Sequence, residues 1–257
     1  MKRIALTILL ALLAASVALP ASAAKKGSKK AAGTKSALQW TRVVDLGVVY
    51  TDGNTETLDA NYGFDLGVAS DVNSIRWTFA GLYGEDRNAS DDKTTKNRID
   101  SVIRAEHFIS DRQSLVLNFS YLYDEPADVD YAFILSPAYA LYILKDPDVL
   151  ELSVEAGPAA VWRRDGDVSR DYITARIAER FFWAFSAVAS IEQTVEYLPD
   201  LGGDADGDLI NASVAVVSAM TDHLALKLGA TDKYNGAPAE GADENDLALT
   251  AALQLTF

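Results

Sequence analysis

The sequence contains no cysteine and only two histidines among its 257 residues. The first absence removes disulfide staples, thiol nucleophiles and Cys-based metal sites. The second leaves little from which to build an imidazole base or a metal cluster. Basic residues are scarce as well: 23 Lys and Arg face 37 Asp and Glu, a formal net charge of -14. Such an acidic chain is a poor ligand for phosphate backbones, so no nucleic-acid partner is expected. Beyond Pro20 no run approaches the roughly 20 apolar residues that a spanning helix requires. No cofactor and no metal are expected.

What is present begins with a basic start, Met1-Lys2-Arg3, then the apolar run Ile4 to Leu19 and the small-residue stretch Pro20-Ala21-Ser22-Ala23. This pattern predicts a secretory signal peptide over residues 1–23, cut after Ala23. Its apolar run is shorter than a membrane anchor needs. Removing it takes away Lys2 and Arg3, leaving 21 bases against 37 acids and a net charge of -16. Residues 24–38 carry Lys25, Lys26, Lys29, Lys30 and Lys35 among Ala, Gly and Ser without periodicity. They predict a basic flexible tail, with contact to anionic lipid headgroups as the functional alternative.

Over residues 39–257 the pattern is a period of two, which only a β-strand has. Leu58, Ala60, Tyr62, Phe64, Leu66 and Val68 alternate with Thr57, Asp59, Asn61, Gly63, Asp65 and Gly67. The last stretch repeats it: Leu247, Leu249, Ala251, Leu253, Leu255 and Phe257 share one face, and Asp246, Ala248, Thr250, Ala252, Gln254 and Thr256 the other. About twelve such runs succeed one another, each near the 9–11 residues of a tilted bilayer crossing. The expected fold is all-β: a single antiparallel transmembrane barrel with both termini on the periplasmic side. A soluble periplasmic barrel or sandwich would alternate too, but with its apolar face inward. Pro137 and Gly157-Pro158 fall inside strands and predict bulges or bends, because proline donates no ladder bond.

The connections sort into two alternating sets. Ser70-Asp71, Ser110-Asp111 and Thr221-Asp222 are short, each setting a hydroxyl before an Asp that can close an Asx-turn, and Lys145-Asp146-Pro147-Asp148 belongs with them. Asp86 to Thr94, Glu125 to Val129, Arg163 to Ser169, Pro199 to Asp208 and Asn235 to Asn245 are mostly longer and acidic. Short turns inside and long loops outside are how outer-membrane barrels are built. Asp204-Ala205-Asp206-Gly207-Asp208 has the spacing of a calcium loop but lacks the later Glu, so a solvated acidic turn is expected.

Between Gly47 and Thr57 the sequence reads G-x-x-x-x-x-G-N-T-x-T, with Gly53, Asn54 and Thr55 as its centre. The hairpin resembles the signature of the salt-induced outer-membrane protein family, a domain of unknown function in Gram-negative bacteria. Arg98-Ile99-Asp100, Tyr121-Leu122-Tyr123-Asp124 and Ala156-Gly157-Pro158 extend the resemblance, which covers roughly Trp40 to Phe257. It implies an outer-membrane location and a barrel, and offers no catalytic residues. A terminal Phe257 also resembles the residue that the barrel-assembly machinery reads in such proteins. Lipid and that machinery are therefore the expected partners; oligomeric state is left open.

On the polar face, Asp59, Asp65, Asp100, Glu106, Glu151, Glu155, Glu192 and Glu196 meet Arg76, Arg98, Arg104, Arg176, Arg180, Lys227 and Lys233. A charge-selective pore shows rings of one sign. This near balance predicts paired side chains across a narrow lumen, in a structural or envelope-stress barrel. A narrow channel for small polar solutes is the alternative. Outer-membrane lipid hydrolases are barrels with Ser and His outside, but His107 and His223 both fall near the terminal side and no His-x-Ser motif occurs. The chain is read as not an enzyme.

Overall fold

The structure, a computed structural model, describes residues 38–51, 57–86, 94–146, 148–202, 207–238 and 242–257. The expected signal peptide, nearly all of the basic tail, Gly53, Asn54 and Thr55 of the signature hairpin, and Asp204 to Asp206 lie outside the described residues.

Twelve strands close into one antiparallel barrel, each paired with its neighbour in sequence and β1 with β12. They are β1 Gln39–Thr51, β2 Thr57–Ala69, β3 Asn73–Asp86, β4 Thr94–Ser110, β5 Gln113–Asp124 and β6 Val129–Asp146. Then follow β7 Leu150–Asp165, β8 Val168–Trp183, β9 Ala189–Leu198, β10 Leu209–Ala219, β11 Leu224–Asn235 and β12 Asn245–Thr256. With an even strand count, Gln39 and Thr256 lie at one end, here the terminal end, and the longer connections lie at the other, the loop end. The strands run from 10 residues in β9 to 18 in β6, longer than a bare bilayer crossing demands, so several extend past it.

Two ion pairs decide which face is inside. Arg104 on β4 reaches Glu155 on β7 at 2.6 Å, and Arg98 on β4 reaches Asp246 on β12 at 2.6 Å. Strands that are not neighbours in the sheet meet only through the interior, so the polar parity faces the lumen. The apolar parity faces out, where Leu249 and Ile173 are about three-quarters exposed. There the aromatics of β2 and β3 pack together, Phe64 against Trp77 at 4.7 Å and Phe79 at 5.3 Å. The outward Trp77 indole donates to Ser101 Oγ at 2.9 Å, which satisfies its N–H where no water is needed. Tyr62 lies across its register partner Gly81, where an added Cβ would stand 2.3 Å from the ring. A ring laid over a strand glycine covers backbone that the glycine leaves bare.

The lumen is less polar than its sequence parity implies. Toward the terminal end Val116, Ala138, Ala140 and Tyr142 pack with Phe108, and toward the loop end Ala159, Val161, Leu198 and Leu209 pack with Ile134 and Tyr172.

Three local expectations are corrected. Of the bulges or bends expected at Pro137 and Gly157-Pro158, no bulge forms: the β6–β7 ladder is interrupted between Leu135↔Ala160 and Tyr139↔Ala156 but keeps its register, because proline removes a donor without adding a residue. The irregularities of that ladder lie at Val129/Tyr131 and Tyr142/Leu144 instead. Arg163 to Ser169 is mostly strand, turning only at Gly166 and Asp167, where Gly166 takes φ 55°. In the short turns the hydroxyl residue before the Asp does the bonding: Ser70 Oγ accepts from Asn73 N at 3.1 Å, and Thr221 Oγ1 from Leu224 N at 3.1 Å.

Candidate functional site

Alternation along β4 to β10 aims Glu106, Ser114, Tyr142, Glu155, Arg176, Glu196 and Asn211 into one lumen, and they meet there. Glu106 accepts from Ser114 Oγ, from Tyr142 Oη at 2.7 Å and from Arg104 Nη2 at 3.2 Å. Arg104 Nη1 then donates to Glu155 Oε1 at 2.6 Å, and Arg176 Nη1 to Glu155 Oε2 at 2.9 Å. Arg176 Nε continues to Glu196, which accepts from Asn211 Nδ2 at 3.0 Å. The amide oxygen of Asn118, turned toward Arg176, accepts from the same guanidinium at 3.1 Å. Seven consecutive strands are thereby joined in a layer across the lumen. Glu155 at its centre has no exposed side-chain surface.

The opposite wall carries smaller pairs. Arg76 Nε donates to both oxygens of Asp65, at 2.8 and 2.9 Å. Lys227 reaches Asp45 at 2.7 Å, and Gln254 donates to the other oxygen of that carboxylate at 3.0 Å. Lys145 lies 3.7 Å over the Phe108 ring, and its register partner is Glu151. Glu192 is exposed, on the terminal-end stretch of β9. Arg180, on the inward parity with Arg176, has Arg104, Glu155 and Arg76 as electrostatic neighbours, but no hydrogen bond or ion pair reaches it among the described residues.

Above this layer, toward the loop end, lies a cavity of about 280 Å³ with Arg180, Ser136, Leu122, Ile134 and Leu209 in its walls. Its rim is a third charged group. Arg98 donates to Asp100 at 2.7 Å and to Asp246 at 2.6 Å, and Lys233 holds the other oxygen of Asp100. Asp124 stands 3.8 Å from Arg98. Just outside it, Lys96 pairs with Asp59 at 3.4 Å.

Most of the charged residues expected in the lumen are thus divided among the closing layer, the Asp65–Arg76 wall, the Lys227 pair and the rim, while Asp59, Glu151, Arg180 and Glu192 stand outside these groups. Asp45, Asp124, Asp246, Tyr142 and Asn118 complete those groups and were not in that set. Parity alone put each of them on the lumen side, and their place in β1, β5, β6 and β12 was the signal available. His107 Nδ1 lies 2.8 Å from Asn73 Oδ1 and His223 Nδ1 lies 3.2 Å from the Thr256 carbonyl, both near the terminal end and apart from the layer and the cavity. Asp208 of the acidic loop accepts from the Asp200 amide at 2.8 Å. Among the described residues no group of three or more His, Cys, Asp or Glu side chains has the arrangement of a metal site.

No curated protein sequence matches this one. Solved structures similar to it include the translocator domain of the autotransporter NalP from Neisseria meningitidis, at 12% identity and TM-score 0.43, covering 88% of each chain. Another is the NanC porin, at 9% identity and TM-score 0.47, over 84% of this chain and 98% of that one. An anion-selective porin from Comamonas acidovorans, at 9% identity and TM-score 0.41, covers 87% of this chain and all of its own. In sequence, residues 44–257 match the family described as "Protein of unknown function, DUF481", and the chain belongs to that family.

Proposed function

We propose that this barrel spans the outer membrane as a vestibule open at the loop end and shut beneath by its ion-paired layer, so that it conducts no ions. The outward face supports the membrane placement: Leu46, Ile103, Leu117, Ile177, Leu228 and Leu249 are all exposed there, whereas soluble monomers rarely expose large contiguous apolar patches. Buried Arg and Glu in the interior are the reverse of a soluble barrel. Closure of the backbone ring satisfies the requirement that no free edge meet lipid.

One observation carries the closed reading, the bridge Arg104–Glu155–Arg176 spanning from β4 to β8 through a fully buried carboxylate. An ion crossing this layer would have to break charge-assisted bonds held in a low-dielectric interior. Planar-bilayer recording of the purified barrel tests this directly. We expect no current above the lipid background; discrete open steps in the wild-type protein would replace the vestibule with a narrow channel for small polar solutes. Heat-modifiable migration and extraction only by detergent test the membrane placement separately.

A further inference from the structure

The rim of the cavity carries more acid than base. Three carboxylates, Asp100, Asp124 and Asp246, share two cations, Arg98 and Lys233. Arg98 gives its hydrogen bonds to Asp100 and Asp246, and Lys233 gives its bond to Asp100. Asp124 receives no hydrogen bond among the described residues, only the 3.8 Å approach of Arg98 and the more distant attraction of Lys233, although the residue is 6% exposed. It lines the cavity. A carboxylate so enclosed, with no hydrogen bond among the described residues, is held at a cost that a bound cation would offset.

A second observation is independent of the acids. Ser136, 1% exposed and in the wall of the same cavity, has a side-chain oxygen with no hydrogen-bond partner. Native interiors rarely leave such a group empty, and a turn of the Ser136 side chain toward the cavity would let a ligand atom fill it. Leu122, Ile134 and Leu209 give the same cavity an apolar stretch of wall, with Ser120 beside Ile134. The volume of about 280 Å³ falls just short of the roughly 300 Å³ at which drug-sized pockets begin, room for a small ligand only.

Charge decides the sign of the ligand. Six carboxylates and four cations line the cavity, and the chain as a whole is strongly acidic, so a cation is drawn to the mouth and an anion is turned away. At the floor the order reverses: Arg180 lines the cavity, with Arg104 and Arg76 as electrostatic neighbours, and this stops a cation from going deeper.

We propose that the vestibule is a binding site for a small primary amine with an apolar body and a hydroxyl or carbonyl at its other end. Its ammonium is taken by Asp124, its body lies against Leu122, Ile134 and Leu209, and its far polar group meets Ser136. The proposal rests on the closed-vestibule reading, since the bound amine has no onward path.

Calorimetric titration of the full-length detergent-solubilised barrel with aminohexanol and, separately, with its uncharged counterpart hexanediol provides the test. Aminohexanol is expected to bind at least tenfold more tightly than hexanediol. Asp124→Asn should lower aminohexanol affinity at least tenfold and leave hexanediol unchanged, while its urea unfolding midpoint does not fall, because one of three crowded carboxylates is gone. Ser136→Ala should weaken both compounds by a similar factor. Equal binding of the two compounds, no binding of either, or wild-type aminohexanol affinity in the Asp124→Asn protein would overturn the proposal. Should Asp124→Asn not fold, the comparison of the two compounds on the wild type decides alone. Open steps in bilayer recordings would remove the closed reading without touching the titration, so the two failures are told apart.

Discussion

Glu155 on β7 and Arg176 on β8 pair at 2.9 Å, although their Cα register partners are Ala178 and Gly157. The guanidinium runs diagonally, and a larger residue at Gly157 would be hard to place, since an added Cβ there would stand 2.1 Å from the Pro137 carbonyl. The diagonal frees the second oxygen of Glu155 for Arg104. One carboxylate thereby ties two sides of the lumen together.

Glu155→Ala leaves the buried Arg104 and Arg176 without their shared partner, each holding only its second carboxylate, Glu106 or Glu196, and takes away the carboxylate whose charge acts most strongly on Arg180. Removing one member of a buried ionic group costs about 3–5 kcal/mol. A large fall in the urea midpoint of the folded barrel is expected, followed by detectable ion conduction in whatever fraction folds. A midpoint within error of the wild type would show that the layer contributes nothing.

The Asp65–Arg76 pair should behave differently. The Arg76 side chain is 44% exposed, so water screens the attraction and replaces the lost bonds. Arg76→Ala is expected to cost about 1 kcal/mol or less, measured by the same urea transition. The contrast with Glu155 separates a solvated pair from an enclosed one in a single barrel.

Tyr62 and Gly81 should be coupled. Gly81→Ala drives a Cβ into the Tyr62 ring, whereas in a Tyr62→Ala background that space is vacant. A double-mutant cycle is expected to show Gly81→Ala destabilising the wild type by about 1–3 kcal/mol and having a much smaller effect when Tyr62 is absent. Equal effects in both backgrounds would mean that the ring moves aside freely.

Phe257 donates its backbone N–H to the Arg42 carbonyl at 3.0 Å and is otherwise largely exposed. Deleting it should reduce the amount of folded barrel in the outer membrane without altering the ligand affinity of the barrels that do form. Quantifying heat-modifiable protein in membrane fractions checks this. Undiminished levels would separate the residue from assembly.

Strand number and facing were legible in the sequence, because alternation is a local property that each run of residues displays by itself. Partner choice was not. Asp45 and Lys227 lie 182 residues apart, and nothing local to either says that β1 and β11 face each other through Gln254. The apolar filling of the lumen escaped for a related reason: Val116, Ala138 and Val161 sit on the polar parity, where their small size passes for spacing and only packing across strands reveals them as a plug. Gln193 donates to Glu179 at 3.5 Å on the outward parity of β8 and β9, a polar contact that alternation had assigned to oil.

The two sides of β1 are unequal. Toward β2 it keeps thirteen register partners, from Gln39↔Ala69 to Thr51↔Thr57, whereas toward β12 it keeps four, from Val43↔Thr256 to Leu46↔Leu253. A hoop under tension parts where its overlap is shortest. In this molecule the line of parting runs beside Gly47 to Thr51 and up the facing edge of β12. Amide hydrogens there should exchange with solvent before those of any other ladder, and a pull on either terminus would unbutton the wall along that line first.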